Sequence, residues 1–178
     1  MKKIYFVRHG QTVWNVENKI CGVTDSPLTD VGHEQAIATG KAILEKGIVA
    51  DEILCSPLSR AHDTAEHIGE ILNLPVRVEP KLVEQNFGKY ESTPRDGKEF
   101  QEQKRRFVYD FDGGESMKRV GQRIYNLLDE LAKDDKTYIL VAHNGIARVV
   151  RSYFMNMENE EYSAFGVKNC EVVEYEYR

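Results

Sequence analysis

Arg8 and His9 end a run of apolar residues, Ile4-Tyr5-Phe6-Val7, and Gly10 follows them. His143, with Asn144 and Gly145, ends a stronger run, Thr137-Tyr138-Ile139-Leu140-Val141-Ala142. Ser56-Pro57-Leu58-Ser59-Arg60-Ala61 follows a third, Ile53-Leu54-Cys55. An arginine guanidinium matches phosphate oxygens with two parallel hydrogen bonds. A neutral imidazole is a nucleophile near neutral pH. Two arginines and two histidines on one rim are therefore equipped to grip a phosphoryl group and to accept it. Arg8-His9-Gly10 alone reads equally well as a strand with a polar end; the other two segments shift the balance towards chemistry.

These side chains converge only if the three runs are parallel strands of one sheet. Short apolar runs bounded by glycine or proline read as buried strands. Open α/β sheets bind ligands beyond the carboxyl ends of their strands, and there Gly10 is expected to let the backbone turn or pass close to a ligand. The spacing predicts strands over 3–7, 51–55, 75–78 and 137–142. Helices are predicted from Gly32 to Lys46, from Leu58 to Leu72, from Met117 to Leu131 and from Ile146 to Phe154. Thr29 or Asp30 caps the first and Gly47 follows it, while Ser56 or Pro57 starts the second. Residues 164–177 alternate apolar and polar, which predicts a closing strand, antiparallel at a sheet edge. The alternation of strands and helices implies an α/β fold with a mostly parallel sheet. The irregular 82–112 segment holds Phe87-Gly88, Pro94, Gly97 and a charged helical stretch from Glu99 to Phe107, and reads as a lid-like excursion.

The 178 residues suit one domain spanning 1–178, and 41% hydrophobic with 30% charged residues is ordinary for a globular protein. A net charge of −5 argues against a nucleic-acid partner, but a local basic pocket still admits a small anion. Three widely spaced cysteines, Cys21, Cys55 and Cys170, suggest reduced thiols and a cytoplasmic location. No apolar run approaches the ~20 residues of a membrane span, and the N-terminus runs directly into the first motif, so neither a membrane anchor nor a leader is expected.

Further residues extend the pattern: Gln11-Thr12 with Asn15, then Gly22, Asp25, Pro27-Leu28-Thr29, Gly32 and Gln35-Ala36, then Thr64-Ala65, Leu82, Glu84, Phe87-Gly88 and Gly114-Glu115-Ser116. With Arg8-His9-Gly10, Ser56-Pro57-Leu58, Arg60-Ala61 and Ala142-His143, the chain resembles the histidine phosphatase superfamily, the phosphoglycerate-mutase-like proteins, from residue 3 to about 175. The resemblance implies a three-layer α/β/α sandwich. It implies His9 as a nucleophile that becomes phosphohistidine, its near ring nitrogen donating to a backbone carbonyl. Arg8, Arg60 and His143 would bind the phosphoryl oxygens, Asn15 would add a neutral donor, and Glu84 would be the acid and then the base. Gly10, Asn144, Cys21 and Gly22 join the candidate substrate contacts. Arginines take the place of a metal as the charge clamp, so neither metal nor cofactor is expected.

Other residues have plainer readings. His33, His62 and His67 are expected to be surface or capping residues, Cys55 and Trp14 packing residues, and Glu115 a helix-start carboxylate. The same machinery serves a phosphatase or a cofactor-dependent phosphoglycerate mutase. The mutases carry an extra basic segment after the acid motif. Here a short excursion separates Glu84 from Gly114, which favours a phosphatase acting on a small phosphorylated metabolite, as a monomer or homodimer. A catalytically silent phosphate-binding module is the remoter reading, because the nucleophile and both arginines are present. Asn144 after His143, where the family often has glycine, and Ser92 after Tyr90-Glu91, where many members have glycine, bear on substrate fit.

Overall fold

In the computed structural model, which describes residues 1–178, alternate residues of the buried strands divide the core between the two faces of one sheet. Strand β1 (Lys3–Arg8) leads into the short helix α1 (Val13–Val16) and then α2 (Asp30–Glu45). Strand β2 (Glu52–Cys55), helix α3 (Ser59–Leu72) and strand β3 (Val76–Val78) follow. The 82–112 segment contains helix α4 (Lys98–Gln103), and α5 (Met117–Leu131), β4 (Tyr138–Ala142), α6 (Asn144–Phe154), α7 (Asn159–Ala164) and β5 (Val172–Glu176) complete the chain. The strand order is β3-β2-β4-β1-β5, parallel except for β5, which runs antiparallel to β1. The fold is thus an α/β/α sandwich with an antiparallel edge strand.

Ile4, Phe6, Leu54, Leu140 and Ala142 join Val120, Ile124 and Leu128 of α5 and Ile146 and Val150 of α6. Tyr5, Val7, Ile53, Cys55, Ile139 and Val141 join Ile43 of α2 and Ala61, Ala65 and Ile68 of α3 on the opposite face. Strand β4 is buried on both faces, which is why its sequence is continuously apolar. No helix is long and apolar enough to cross a membrane.

Several boundaries differ from expectation. Helix α3 is capped by neither Ser56 nor Pro57: Leu58 holds the cap position without a side-chain bond. Asp25 from a distant loop does that work, accepting from the Ser59 N–H at 3.1 Å and its hydroxyl at 2.8 Å. Helix α6 starts at Asn144, because His143 adopts the extended cap conformation directly off the strand. Helix α7 was not foreseen; its first turn carries Glu160 and Glu161, which suit a helix N-terminus. The charged helix in the excursion ends at Gln103, short of Phe107. That excursion has its own small aromatic core of Ile20, Phe87, Tyr90, Phe100 and Phe111.

Gly10 has a use besides the one expected. Its carbonyl serves His9, but its missing side chain serves packing: a Cβ there would lie 2.4 Å from the carbonyl oxygen of Gly32 in α2. A Cβ on Gly32 would in turn lie 2.1 Å from the carbonyl oxygen of Gln11. The two glycines let the loop after β1 seat against the first turn of α2. Gly32→Ala should therefore destabilise the protein by about 1–3 kcal/mol, a fall in Tm of roughly 3–10 °C by thermal melting.

Candidate active site

Strand register brings the two histidines together. Arg8 pairs with Ala142 across β1 and β4, and the His9 N–H donates to the Ala142 carbonyl at 3.0 Å. His9 and His143 therefore leave the sheet side by side, with ring centroids 5.3 Å apart. Both rings are buried. His9 Nδ1 lies 2.7 Å from the Gly10 carbonyl oxygen. A carbonyl only accepts, so Nδ1 holds the proton and Nε2 carries the lone pair.

His143 is set from the other neighbouring strand. Ser56, just past β2, places its hydroxyl 2.7 Å from His143 Nε2 and accepts the Leu58 N–H at 3.3 Å. The hydroxyl can both donate and accept, so it fixes the orientation of the ring with either ring nitrogen protonated. The other ring nitrogen, Nδ1, is buried without a partner and is free to meet a group entering the site.

Arg8 and Arg60 are buried beside this pair, only 8% and 1% exposed. Arg8 Nη1 donates to the Val167 carbonyl at 2.7 Å. Arg60 donates from Nη1 to Thr24 at 2.8 Å and from Nη2 to Gly22 at 2.6 Å, which ties down the 21–25 loop. Each Nε is buried without a partner, and the carboxylate nearest Arg60 is Asp25 at 4.0 Å. Burial, reinforced by Arg95, pushes Arg8 down to about 10. Burial, then Arg60 and Arg8, hold His9 well below the ordinary imidazole range, and burial with Arg60 does the same to His143. The site is thus strongly positive and built to keep both imidazoles neutral.

Glu84 arrives from the excursion and is 4% exposed. Its Oε1 accepts the Gln85 N–H at 2.8 Å, and its Oε2 accepts the Gly145 N–H at 3.1 Å in the first turn of α6. A side chain at 145 would displace this carboxylate, because its Cβ would lie 2.4 Å from Glu84 Oε1. The glycine after Asn144 therefore seats the carboxylate, a role not read from the sequence.

The remaining candidates divide. Cys21 and Asn144 line the cleft that contains Glu84. The Cys21 thiol donates to the Thr24 carbonyl at 3.1 Å and is pushed up to about 11 by burial. Asn144 Oδ1 accepts the Val167 N–H at 2.9 Å. Asn15 accepts the Thr12 N–H at 3.0 Å and the Asn169 amide at 3.3 Å through Oδ1. Gly22 spends its N–H on the Glu91 carboxylate, at 3.1 and 3.0 Å, and its role is in the loop. Outside the site, His33 and His67 are not separate surface residues: they are half-buried and joined, Nδ1 to Nε2 at 2.9 Å, between α2 and α3. Trp14 is half-buried and outside the core, with the Lys19 ammonium 5.7 Å from its ring. Glu115 precedes the α5 cap and pairs with Arg123 at 2.9 Å. Arg95 and Arg148, which also line the cleft, were missed. Arg148 carried a signal, a cation inside the apolar stretch Ile146-Ala147-Arg148-Val149-Val150.

The depressed histidines have a consequence for stability. The unfolded chain takes up protons on His9 and His143 near pH 6.5, whereas the folded protein does so only at lower pH. The unfolded state thus binds more protons in that window, and stability is lost as pH falls from 6.5 through the folded values. Melting temperature should decline between pH 7.5 and 5, and His143→Ala should flatten that decline.

Comparison with known proteins agrees with this geometry. A family model described as histidine phosphatase superfamily (branch 1) matches residues 4–178. A probable phosphoglycerate mutase, GpmB, of Yersinia pestis is 31% identical over 188 residues, covering 100% of this chain and 86% of its own. The mycobacterial glucosyl-3-phosphoglycerate phosphatase solved with VO3 is 27% identical, with a TM-score of 0.85 over 98% of this chain and 92% of that one. A mutant phosphoserine phosphatase from Entamoeba histolytica in complex with phosphoserine is 28% identical, with a TM-score of 0.85 over 100% and 92%. With the motifs, the fold and a whole-length family match in agreement, this chain belongs to the histidine phosphatase superfamily, branch 1.

Proposed function

We propose that the protein is a phosphomonoester hydrolase that works through a phosphohistidine on a small phosphorylated metabolite. The observation that carries this reading is the His9 ring, with Nδ1 on the Gly10 carbonyl and a neutral Nε2 beside buried guanidinium groups that donate to backbone carbonyls. The phosphoryl group lies against Arg8, Arg60, His143 Nδ1 and the Asn15 amide. His9 Nε2 attacks phosphorus, the P–O ester bond breaks, and its electron pair goes to the leaving oxygen, which takes a proton from Glu84. Water then attacks phosphorus and gives a proton to Glu84. The P–N bond breaks, phosphate leaves, and His9 returns to its neutral form. The cations stabilise charge on the equatorial oxygens, where phosphoryl transfer is most sensitive. A low His9 pKa supports activity at acidic to neutral pH. Three free, buried cysteines fit action in the cytoplasm.

A second reading has its own support. The curated relatives are probable phosphoglycerate mutases, whereas the structural neighbours include phosphatases of glucosyl-3-phosphoglycerate and phosphoserine. A phosphatase is preferred because the segment between Glu84 and Gly114 is short and has no match to the mutases' basic pattern.

His9→Ala should abolish hydrolysis of p-nitrophenyl phosphate between pH 5 and 7 while keeping a cooperative melt. Acid-labile phosphohistidine should accumulate at residue 9 in quenched wild-type enzyme, and activity in the variant would overturn the nucleophile. Phosphoglycerate isomerisation that outruns phosphate release on adding 2,3-bisphosphoglycerate would establish the mutase instead. Gly145→Ala should displace Glu84 and lower kcat about 10- to 100-fold for an alkyl phosphate. The loss should be smaller for p-nitrophenyl phosphate, whose leaving group needs less protonation.

A further inference from the structure

Gln35 stands one helical turn beyond Gly32 in α2, so the two share the face that meets the loop after β1. Gly32 admits that loop by having no side chain. Gln35 holds it: the half-buried side chain accepts the Gln11 N–H through Oε1 at 2.9 Å. Only an oxygen can accept from that N–H, which settles the orientation of the Gln35 amide. The N–H belongs to the same peptide group as the Gly10 carbonyl, whose oxygen lies 2.7 Å from His9 Nδ1. A trans peptide is planar, with its N–H and C=O directed to opposite sides. Fixing the N–H on Gln35 therefore fixes the carbonyl that decides which nitrogen of His9 holds the proton.

The neighbouring peptides have other anchors. In the one before, the Gly10 N–H donates to the Thr64 hydroxyl at 3.1 Å, and the His9 carbonyl accepts the Asn169 amide at 3.0 Å and the Cys170 N–H at 3.3 Å. In the one after, the Gln11 carbonyl accepts the Thr29 N–H at 2.9 Å, and the Thr12 N–H donates to Asn15 at 3.0 Å. The Gly10–Gln11 peptide hydrogen-bonds to Gln35 and to the His9 ring itself, and to nothing else. Glycine leaves such a peptide unusually free to rotate, because ψ has a wide range when no Cβ is present. Yet Gly10 cannot be exchanged, since a Cβ there would lie 2.4 Å from the Gly32 carbonyl oxygen. The contact that requires glycine thus makes the carbonyl under His9 easy to turn, and Gln35 opposes the turn.

We propose that Gln35 is a positioning residue that sets the tautomer of His9 through the Gly10–Gln11 peptide. This rests on the reading of His9 as the nucleophile and deepens it. With the carbonyl held in place, Nδ1 keeps its proton and Nε2 presents its lone pair to phosphorus. With the peptide turned, its N–H faces the ring and Nδ1 becomes the acceptor. The proton then resides on Nε2, where it blocks attack. The bond from Gln11 to Gln35 also polarises the peptide, so the carbonyl accepts more strongly as the ring gains positive charge on phosphorylation. Gln35 acts through the backbone and not on the substrate.

Gln35→Leu removes the acceptor and keeps most of the bulk, whereas Gln35→Glu keeps the acceptor. In protein labelled with 15N-histidine, the His9 signals are those, among five histidines, that vanish in His9→Ala. Near neutral pH, wild type and Q35E should show the Nδ1–H form of His9, and Q35L should show a substantial Nε2–H fraction. In Q35L, kcat/KM for p-nitrophenyl phosphate should fall about 10- to 100-fold, the range seen when a partner that orients a metal-bound histidine is lost. Q35E should recover most of that activity. The inhibition constant for inorganic phosphate should stay at its wild-type value in Q35L, because Arg8 and Arg60 are untouched. A loss of packing alone would leave the tautomer as it was. If Q35L fails to fold, Q35A carries the same measurements, since alanine suits a helix. A variant that keeps the Nδ1–H form in full overturns the proposal, as does the Nε2–H form in wild type. Activity in His9→Ala would instead overturn the nucleophile reading beneath it, and the tautomer measurement tells the two failures apart.

Discussion

Buried positive charge at the carboxyl edge of the sheet, with no carboxylate hydrogen-bonded to it, is the constraint around which this molecule is arranged. Arg8 and Arg60 sit almost fully enclosed, held by backbone carbonyls of Val167, Thr24 and Gly22 and not by carboxylates. A carbonyl dipole fixes a guanidinium without neutralising it. The field therefore remains available to an incoming phosphoryl group and meanwhile keeps His9 deprotonated on Nε2. A carboxylate hydrogen-bonded to either arginine would have made a more comfortable core and a weaker site.

The surrounding structure offsets that cost. Both faces of the sheet are packed with aliphatic side chains, and β4 runs through the middle with every residue buried. Acidic side chains near the site are directed elsewhere: Asp25 caps α3, Glu91 binds the N–H groups of Gly22 and Thr24, and Glu115 pairs with Arg123. Glu84 remains, and two backbone N–H groups fix its position. Each carboxylate that might have quenched the arginines has another partner.

The 82–112 excursion is an ordered part of the fold. Its aromatic cluster gives it a small core of its own, so it carries Arg95 and Lys104 on an ordered platform instead of a loose loop. Exchange of this platform among relatives that keep the same strand ends is a physical route by which one chemistry serves several substrates.

Much of this was legible in the residues. Alternation and apolar runs marked the strands, and helical spacing marked α2, α3 and α5, because burial on one face imposes a period that local sequence must obey. The placing of Arg8, His9, Arg60 and His143 at the strand ends was legible through motif order. The use of Gly10 against Gly32, the seating of Glu84 on Gly145, and Asp25 in place of Ser56 at the start of α3 were not. Nor was the meeting of Arg148 with Arg95 and Lys104. Each of these joins residues far apart in the chain, and none leaves a local period. The sequence by itself determined which side chains stand at the strand ends and hence the class of chemistry. Only the tertiary structure decided their protonation, their orientation and which charges remain unpaired, because those follow from burial and through-space distance.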